Sequence, residues 1–110
     1  MAAIGYVNRQ ADGSFKGFIN TLSIRRSVVL VPNRDKDAEN QPDFRVFTDD
    51  RDRVELGAGW KRVGQTSGSE YVSLSLAAPE FGPRKLYANL GRAAGADDPD
   101  SFAIIWNPAD

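Results

Sequence analysis

Two segments of strict alternation constrain the fold of this chain more than any other feature of its sequence. Apolar residues occupy every second position in both segments: Val72, Leu74 and Leu76 in the first, and Leu86, Ala88 and Leu90 in the second. A period of two is typical of a β-strand that buries one face in a core. The proline- and glycine-containing segment 79–83 separates them and predicts a corner. We therefore expect two half-buried strands that are neighbours in one sheet.

The remainder of the chain supplies further candidate strands. Asp12-Gly13 is a dipeptide typical of hairpin turns, and it separates predicted strands at 3–9 and 15–24. The segment 28–31 is apolar at every position, which predicts a strand covered on both faces. Later strands are predicted at 43–48, 53–63 and 102–106.

The predicted strand 53–63 contains a tryptophan with two conflicting signals. Alternation places Trp60 on one face with Val54, Leu56 and Ala58, and this predicts that Trp60 lies in the core. The two basic residues that follow it favour a position on the surface. The sequence alone leaves the burial of Trp60 open.

Together these segments predict about seven or eight short strands separated by turns, with little or no helix. Most connections are too short for parallel crossovers, so we expect an antiparallel sheet. The fold class is all-β, either a small antiparallel barrel or a strongly curved sheet. A chain of 110 residues fits a single domain over 1–110, with flexible polar loops expected near 33–42, 49–53 and 93–100.

Cysteine and histidine are both absent from the chain. Their absence removes thiolate nucleophiles, soft metal sites and the usual general base near neutral pH. The clustered carboxylates lie in polar segments, where solvated turns are a simpler interpretation than acid–base catalysis or calcium binding. We expect no enzyme activity, no catalytic residue, no cofactor and no metal.

Charge and hydropathy bear on location and partners. The net charge is −1, from 14 Lys and Arg against 15 Asp and Glu, so no overall field attracts nucleic acid or an anionic membrane. No apolar run is long enough for a transmembrane helix, and the first residues lack the pattern of a signal peptide. We expect a cytoplasmic protein with no membrane partner, and its oligomeric state stays open.

A local surface for nucleic acid is one candidate site. Cations near strand ends, beside aromatics on outer faces, can neutralise phosphates and stack bases. The alternative interpretation is that these side chains pack across strands and keep the surface soluble. The residues of this candidate surface are Arg25, Arg26, Lys61, Arg62, Arg84, Lys85, Tyr71 and Tyr87.

A surface for a protein partner is the other candidate. An open sheet edge can pair with a second chain, and exposed Tyr and Arg are frequent in interface hot spots. The segment 49–53 contains Asp49, Asp50 and Asp52, which predict an acidic loop that imitates nucleic acid towards an enzyme that binds it.

Several short blocks in this sequence resemble a known family. They include Pro-Asp-Phe-Arg-Val-Phe at 42–47, Leu-Gly-Ala-Gly-Trp-Lys at 56–61 and Leu-Tyr-Ala-Asn-Leu at 86–90. Their order and spacing resemble the bacterial family called domain of unknown function 736, over almost the whole chain. The acidic insert at 49–53 and the loop at 93–100 are longer than that pattern.

The resemblance implies a small cytoplasmic bacterial protein encoded on a mobile genetic element, with no catalytic residues to carry over. Such an origin implies either a DNA-maintenance accessory or an inhibitor of a host defence, such as an anti-CRISPR protein. We therefore expect a non-catalytic binding protein that acts through a protein–protein surface. The alternative is a nucleic-acid-binding accessory that uses the basic strand ends and exposed aromatics.

Overall fold

The computed structural model describes residues 3–22, 24–51, 53–64, 68, 70–78, 83, 85–92 and 98–107. Within these residues the chain forms eight β-strands and no helix. The strands are β1 (Ala3–Arg9), β2 (Phe15–Asn20), β3 (Arg25–Pro32), β4 (Phe44–Thr48), β5 (Glu55–Val63), β6 (Glu70–Leu76), β7 (Leu86–Arg92) and β8 (Ser101–Asn107). The all-β fold class predicted from alternation is confirmed.

The eight strands form one closed barrel in which each strand pairs with its neighbours in sequence. Every pairing is antiparallel, and β8 closes the barrel by pairing with β1. Of the two architectures expected, the barrel is therefore the one observed. Closure gives each described strand a partner on both sides, so these strands offer no open edge to which a second chain could add.

The antiparallel order gives the barrel two ends. We call the upper end the one where β1, β3, β5 and β7 finish, and the lower end the one where they begin. The hairpin between β1 and β2 is at the upper end, as Asp12-Gly13 predicted. Gly13 has φ 88°, which favours glycine, and the Asp12 carboxylate accepts hydrogen bonds from the Ser14 N–H and hydroxyl.

The interior of the barrel is filled by one apolar cluster. The alternating residues Leu74 and Leu76 of β6 and Ala88 and Leu90 of β7 are buried in it, as predicted. The other buried members are Val7, Phe15, Ile19, Val28, Leu30, Phe44, Val46 and Ile104. Burial of a large apolar side chain stabilises the fold by roughly 1.5–3 kcal/mol, so this cluster supplies much of the driving force for folding.

Strand β3 is covered on both sides, as its continuous apolar run predicted. Val28 and Leu30 point into the barrel, while Val29 is buried on the outer surface. Val29 pairs with Lys16 on one side and with Phe47 on the other. The β2 strand is shorter than predicted, because the chain turns after Asn20 with a hydrogen bond from the Thr21 N–H to the Ile24 carbonyl.

The sequence left the burial of Trp60 open, with alternation favouring the core, and in the structure Trp60 faces outwards and is half-buried. In β5, Gly57 and Gly59 pair with the buried Leu76 and Leu74, so the glycines face the interior and Trp60 faces outwards. A β-bulge causes this reversal. Val46 pairs with Gly57 and the next residue, Phe47, pairs with Glu55, which leaves Leu56 as an extra residue in β5.

Candidate binding surface

A shallow groove lies on the outer face of β5 and β6, towards the lower end of the barrel. We call it the outer groove. Its volume is 380 Å³, and much of it is open to solvent. The residues that line it are Glu55, Leu56, Gly57, Ala58, Trp60, Ser75, Ala77 and Lys85.

The depth of the outer groove comes from small side chains with large ones around them. Ala58 pairs with Ser75 across the β5–β6 ladder, and the backbone of Ala77 donates to the Leu56 carbonyl. These three small residues form the floor. Ser75 also pairs with Tyr87 of β7, whose side chain is 45% exposed, so an aromatic ring stands beside the floor.

Trp60 forms the wall of the groove on the upper side. The strand holds Trp60 in the outward position, where its indole Nε1 donates a hydrogen bond to the Asn40 carbonyl, 3.1 Å away. Asn40 belongs to the connection between β3 and β4, residues 33–43, which we call the strap. The indole is half-buried and fixed by the strap at its polar end. Its orientation is therefore defined before any ligand arrives.

Asp43 fastens the strap to the barrel. One carboxylate oxygen lies 2.8 Å from Lys36 Nζ, and the other accepts the backbone N–H of Lys61 at 2.8 Å. Burial opposes ionisation of this carboxyl, but the two hydrogen bonds and the positive charges outweigh it and lower the pKa of Asp43. The segment 33–42 was predicted to be a flexible loop, and these contacts join it to β5.

The lower rim of the groove holds charges of both signs. The Glu55 carboxylate lies 2.9 Å from Arg45 Nε, and this hydrogen bond lowers the pKa of Glu55 and raises that of Arg45. Arg45 also lies over the Phe47 ring, 5.1 Å from its centroid. Lys85 is exposed and makes no ion pair with any residue that the structure describes. Lys85 is therefore an exposed cation in the lining of the groove.

The predicted nucleic-acid residues separate into two groups. Arg62 pairs with Tyr71 at the upper end of β5 and β6, and Tyr87 and Lys85 lie on the same outer surface near the lower end. The other cations are elsewhere. Lys61 Nζ lies 5.8 Å from the centroid of the Phe44 ring, Arg25 and Arg26 begin β3, and Arg84 lies outside the described residues. The seven described residues of this set do not share one face.

The predicted acidic loop has mixed charge in the structure. Asp50 lies 2.6 Å from an Arg26 guanidinium nitrogen and also accepts hydrogen bonds from the Arg53 N–H and the Thr48 hydroxyl. The Arg53 and Arg26 bonds are the largest causes that lower the pKa of Asp50. Asp49 is exposed beside this network, and Asp52 lies outside the described residues. Of the two described aspartates, Asp50 is therefore paired with an arginine within the protein.

The described residues contain neither a cluster of metal ligands nor a membrane-spanning helix. Among the residues that the structure describes, no three carboxylates come together in an arrangement that could hold a metal ion. The described part of the chain also contains no helix that is long and apolar enough to cross a membrane. Part of the segment 93–100, predicted to be a flexible loop, lies outside the described residues.

The sequence identified the rim of the outer groove but missed its floor. Tyr87 and Lys85 were candidates because an aromatic and a cation lie close to a strand end. Ala58, Ser75 and Ala77 were not candidates, because small residues are common on any strand. The alternation of β6 did predict that Ser75 faces outwards. Its partner in β5, Ala58, was assigned by alternation to the core face, so the pair was not recognised.

The fold and this surface define a class of protein: a small closed antiparallel barrel with a preformed groove on its outer wall. The family model described as protein of unknown function (DUF736) matches residues 3–109, nearly the whole chain. The chain therefore belongs to this family, as its sequence blocks predicted. Neither the curated proteins nor the solved structures that we compared contain a match to it.

Proposed function

We propose that this chain is a non-catalytic binding protein that holds a protein partner on the outer groove. The observation that supports the proposal most directly is the groove itself, with a floor of small residues between Trp60 and Tyr87. Tryptophan, tyrosine and arginine dominate interface hot spots, and a pocket beside them gives a partner's side chain a place to be buried. Trp60 lines the groove, and Tyr87 and Arg45 lie on the neighbouring strands, paired with Ser75 and Ala58 of its floor.

Two further features favour a protein partner. The barrel leaves no described strand edge free, so a partner would be held by side chains on a face rather than by strand addition. The lining contains both Glu55, which is paired with Arg45 of β4, and Lys85. Charges of both signs suit the mixed surface of a protein better than a polyphosphate.

Blocking the groove tests this proposal. Ser75→Arg places a long side chain on the groove floor, and Ser27→Arg makes the same change on the exposed outer face of β3, three strands away. We expect a protein captured from host lysate by the wild type and by Ser27→Arg to be lost with Ser75→Arg. Circular dichroism checks that both variants stay folded. Equal capture by both variants would contradict the proposal.

Nucleic acid is a second candidate, and one observation favours it. Arg62, Tyr71, Tyr87 and Lys85 occupy one outer surface of β5, β6 and β7 and its margin, so bases and phosphates would find aromatics and cations together. Anisotropy of labelled single- and double-stranded DNA tests it at low and near-physiological salt. Under the proposal of a protein partner we expect no binding at micromolar protein. Binding that weakens steeply with salt would favour nucleic acid instead.

An origin on a mobile genetic element and a role against a host defence stay predictions. The proposal of a protein partner does not depend on them. It rests on the shape and composition of one surface, and the same experiments apply whatever the genetic context of the chain.

A further inference from the structure

We infer that the segment of the partner that occupies the outer groove is an acidic peptide segment, with a large apolar side chain next to a carboxylate. This inference rests on the proposed function and names the chemistry of the occupant. It follows from the balance of charge around the rim and from the composition of the floor.

The apolar side chain belongs on the floor. Ala58 and Ala77 present methyl groups there, and the indole of Trp60 stands on the upper side. Trp60 already uses its N–H on the Asn40 carbonyl, so the indole offers an apolar ring rather than a free donor. A partner side chain placed against these groups is partly removed from water, which is favourable for an apolar side chain.

The carboxylate belongs beside Lys85. Two charged side chains, Glu55 and Lys85, line the lower part of the groove, and Glu55 pairs with Arg45 of β4 at 2.9 Å. Among the described residues Lys85 makes no ion pair, so it is the charged group of this lining that has no partner there. An acidic residue next to the apolar anchor complements that charge, whereas a basic residue meets repulsion.

Short peptides test this inference by nuclear magnetic resonance. The probe is a capped tetrapeptide of glycine, phenylalanine, aspartate and glycine, titrated into ¹⁵N-labelled protein at low salt. Two comparison peptides replace aspartate by lysine or phenylalanine by alanine. We expect amide shifts confined to the groove strands around Ala58, Ser75 and Ala77. The aspartate peptide should bind about twofold to fivefold more tightly than the lysine peptide, the range for one exposed charge pair.

The contribution of the peptide phenylalanine and that of Lys85 in the groove are measured separately. Replacing phenylalanine by alanine should weaken binding by about tenfold or more, because the buried anchor is lost. Lys85→Glu should reverse the preference, so that the lysine peptide binds better. Lys16→Glu changes an exposed lysine of β2, on the opposite side of the barrel, and should leave the preference unchanged.

The outcomes separate this inference from the proposed function. No shifts at millimolar peptide, equal binding of the acidic and basic peptides, or a preference that Lys85→Glu leaves unchanged would overturn the acidic segment. If the Ser75→Arg variant still loses its captured partner in that case, the groove is a protein-binding site with a different occupant. If capture is also unaffected, both the function and its occupant are contradicted.

Discussion

Gly59, the residue next to Trp60, lies on the inner face of β5. A side chain at position 59 would meet Leu74, Val72 and Phe44 inside the barrel, whereas one at position 57 would meet the Ser75 carbonyl of β6. The interior is therefore already full at this height, and β5 contributes its backbone to it. The strand then places its largest side chain outside, where Trp60 becomes a wall of the outer groove.

The packing around Gly59 gives a prediction for Gly59→Val. A β-carbon at this position would lie 2.9 Å from Leu74 Cδ2 and 3.2 Å from Val72 Cγ1, and valine adds two further methyl groups. Overpacking of this kind usually costs about 1–3 kcal/mol, and we expect that loss in the free energy of unfolding in urea. Ala58→Val, on the outward face, should change it by less than about 0.5 kcal/mol. Equal losses for both variants would contradict the assigned orientation of β5.

Trp60 shows where alternation stops being a guide. In β6 and β7 the aliphatic residues occupy one parity and mostly polar or aromatic residues the other, and the aliphatic face is the buried one. In the predicted strand 53–63 the apolar parity contains Val54, Leu56, Ala58 and Trp60, yet Ala58 and Trp60 face outwards. The bulge at Leu56 changes which residues of β5 face inwards, and no residue type in the sequence predicts that bulge.

At the scale of elements, the strap is attached to β5. Its polar composition predicted flexibility, since solvated residues are typical of mobile loops. The strap is held by side-chain contacts of Asp43, Lys36 and Trp60. These contacts depend on which strands become neighbours, and the sequence does not predict that. The strap can therefore be identified as a connection from the sequence, but its attachment cannot.

Attachment of the strap through Asp43 predicts a pH-dependent contribution to stability. The pKa of Asp43 is lowered below its ordinary value of 3.8, so the ionised form is favoured in the folded state. Its contribution is present above pH 3.8 and is lost as the pH falls through the folded pKa. We expect Asp43→Asn to be less stable than wild type at neutral pH, and the difference to shrink in acid.

Urea denaturation at neutral and acidic pH measures that difference. The wild type has other carboxyls with lowered pKa values, including Asp12, Asp50 and Glu55, so both proteins lose stability in acid and only the gap between them is informative. Asp37→Asn is the control in the same strap, because the Asp37 side chain makes no hydrogen bond with a described residue. A gap for Asp43→Asn that stays constant with pH would contradict the attachment.

At the scale of the whole molecule, closure of the barrel decides what kind of binding is available. Eight short strands with short connections predicted either a barrel or a curved sheet, and composition alone does not distinguish them. Closure depends on β1 pairing with β8, two strands at opposite ends of the chain. The closed barrel has outer faces and two ends but no free edge among the described strands. We therefore expect a partner to be bound by side chains and not by strand addition.

The candidate site could be predicted only in part, because it too depends on which strands pair and in which register. Aromatics and cations are recognisable as residue types, so Tyr87 and Lys85 stand out in the sequence. The groove between them exists because Ala58 and Ser75 are paired in register, and that pairing is a property of the folded sheet. The scattered positions of Arg25 and Arg26 likewise follow from β3 lying three strands from β6.

Site-specific photo-crosslinking tests the central claim, that a protein partner sits on the outer groove. Benzoylphenylalanine replaces Tyr87 on the rim or Phe18 on β2, two aromatic positions with the same 45% exposure and on different sides of the barrel. Irradiation in host lysate should give a discrete protein adduct from position 87 that Ala58→Arg abolishes, and none from position 18. Equal adducts from both positions, or none from position 87, would contradict the claim.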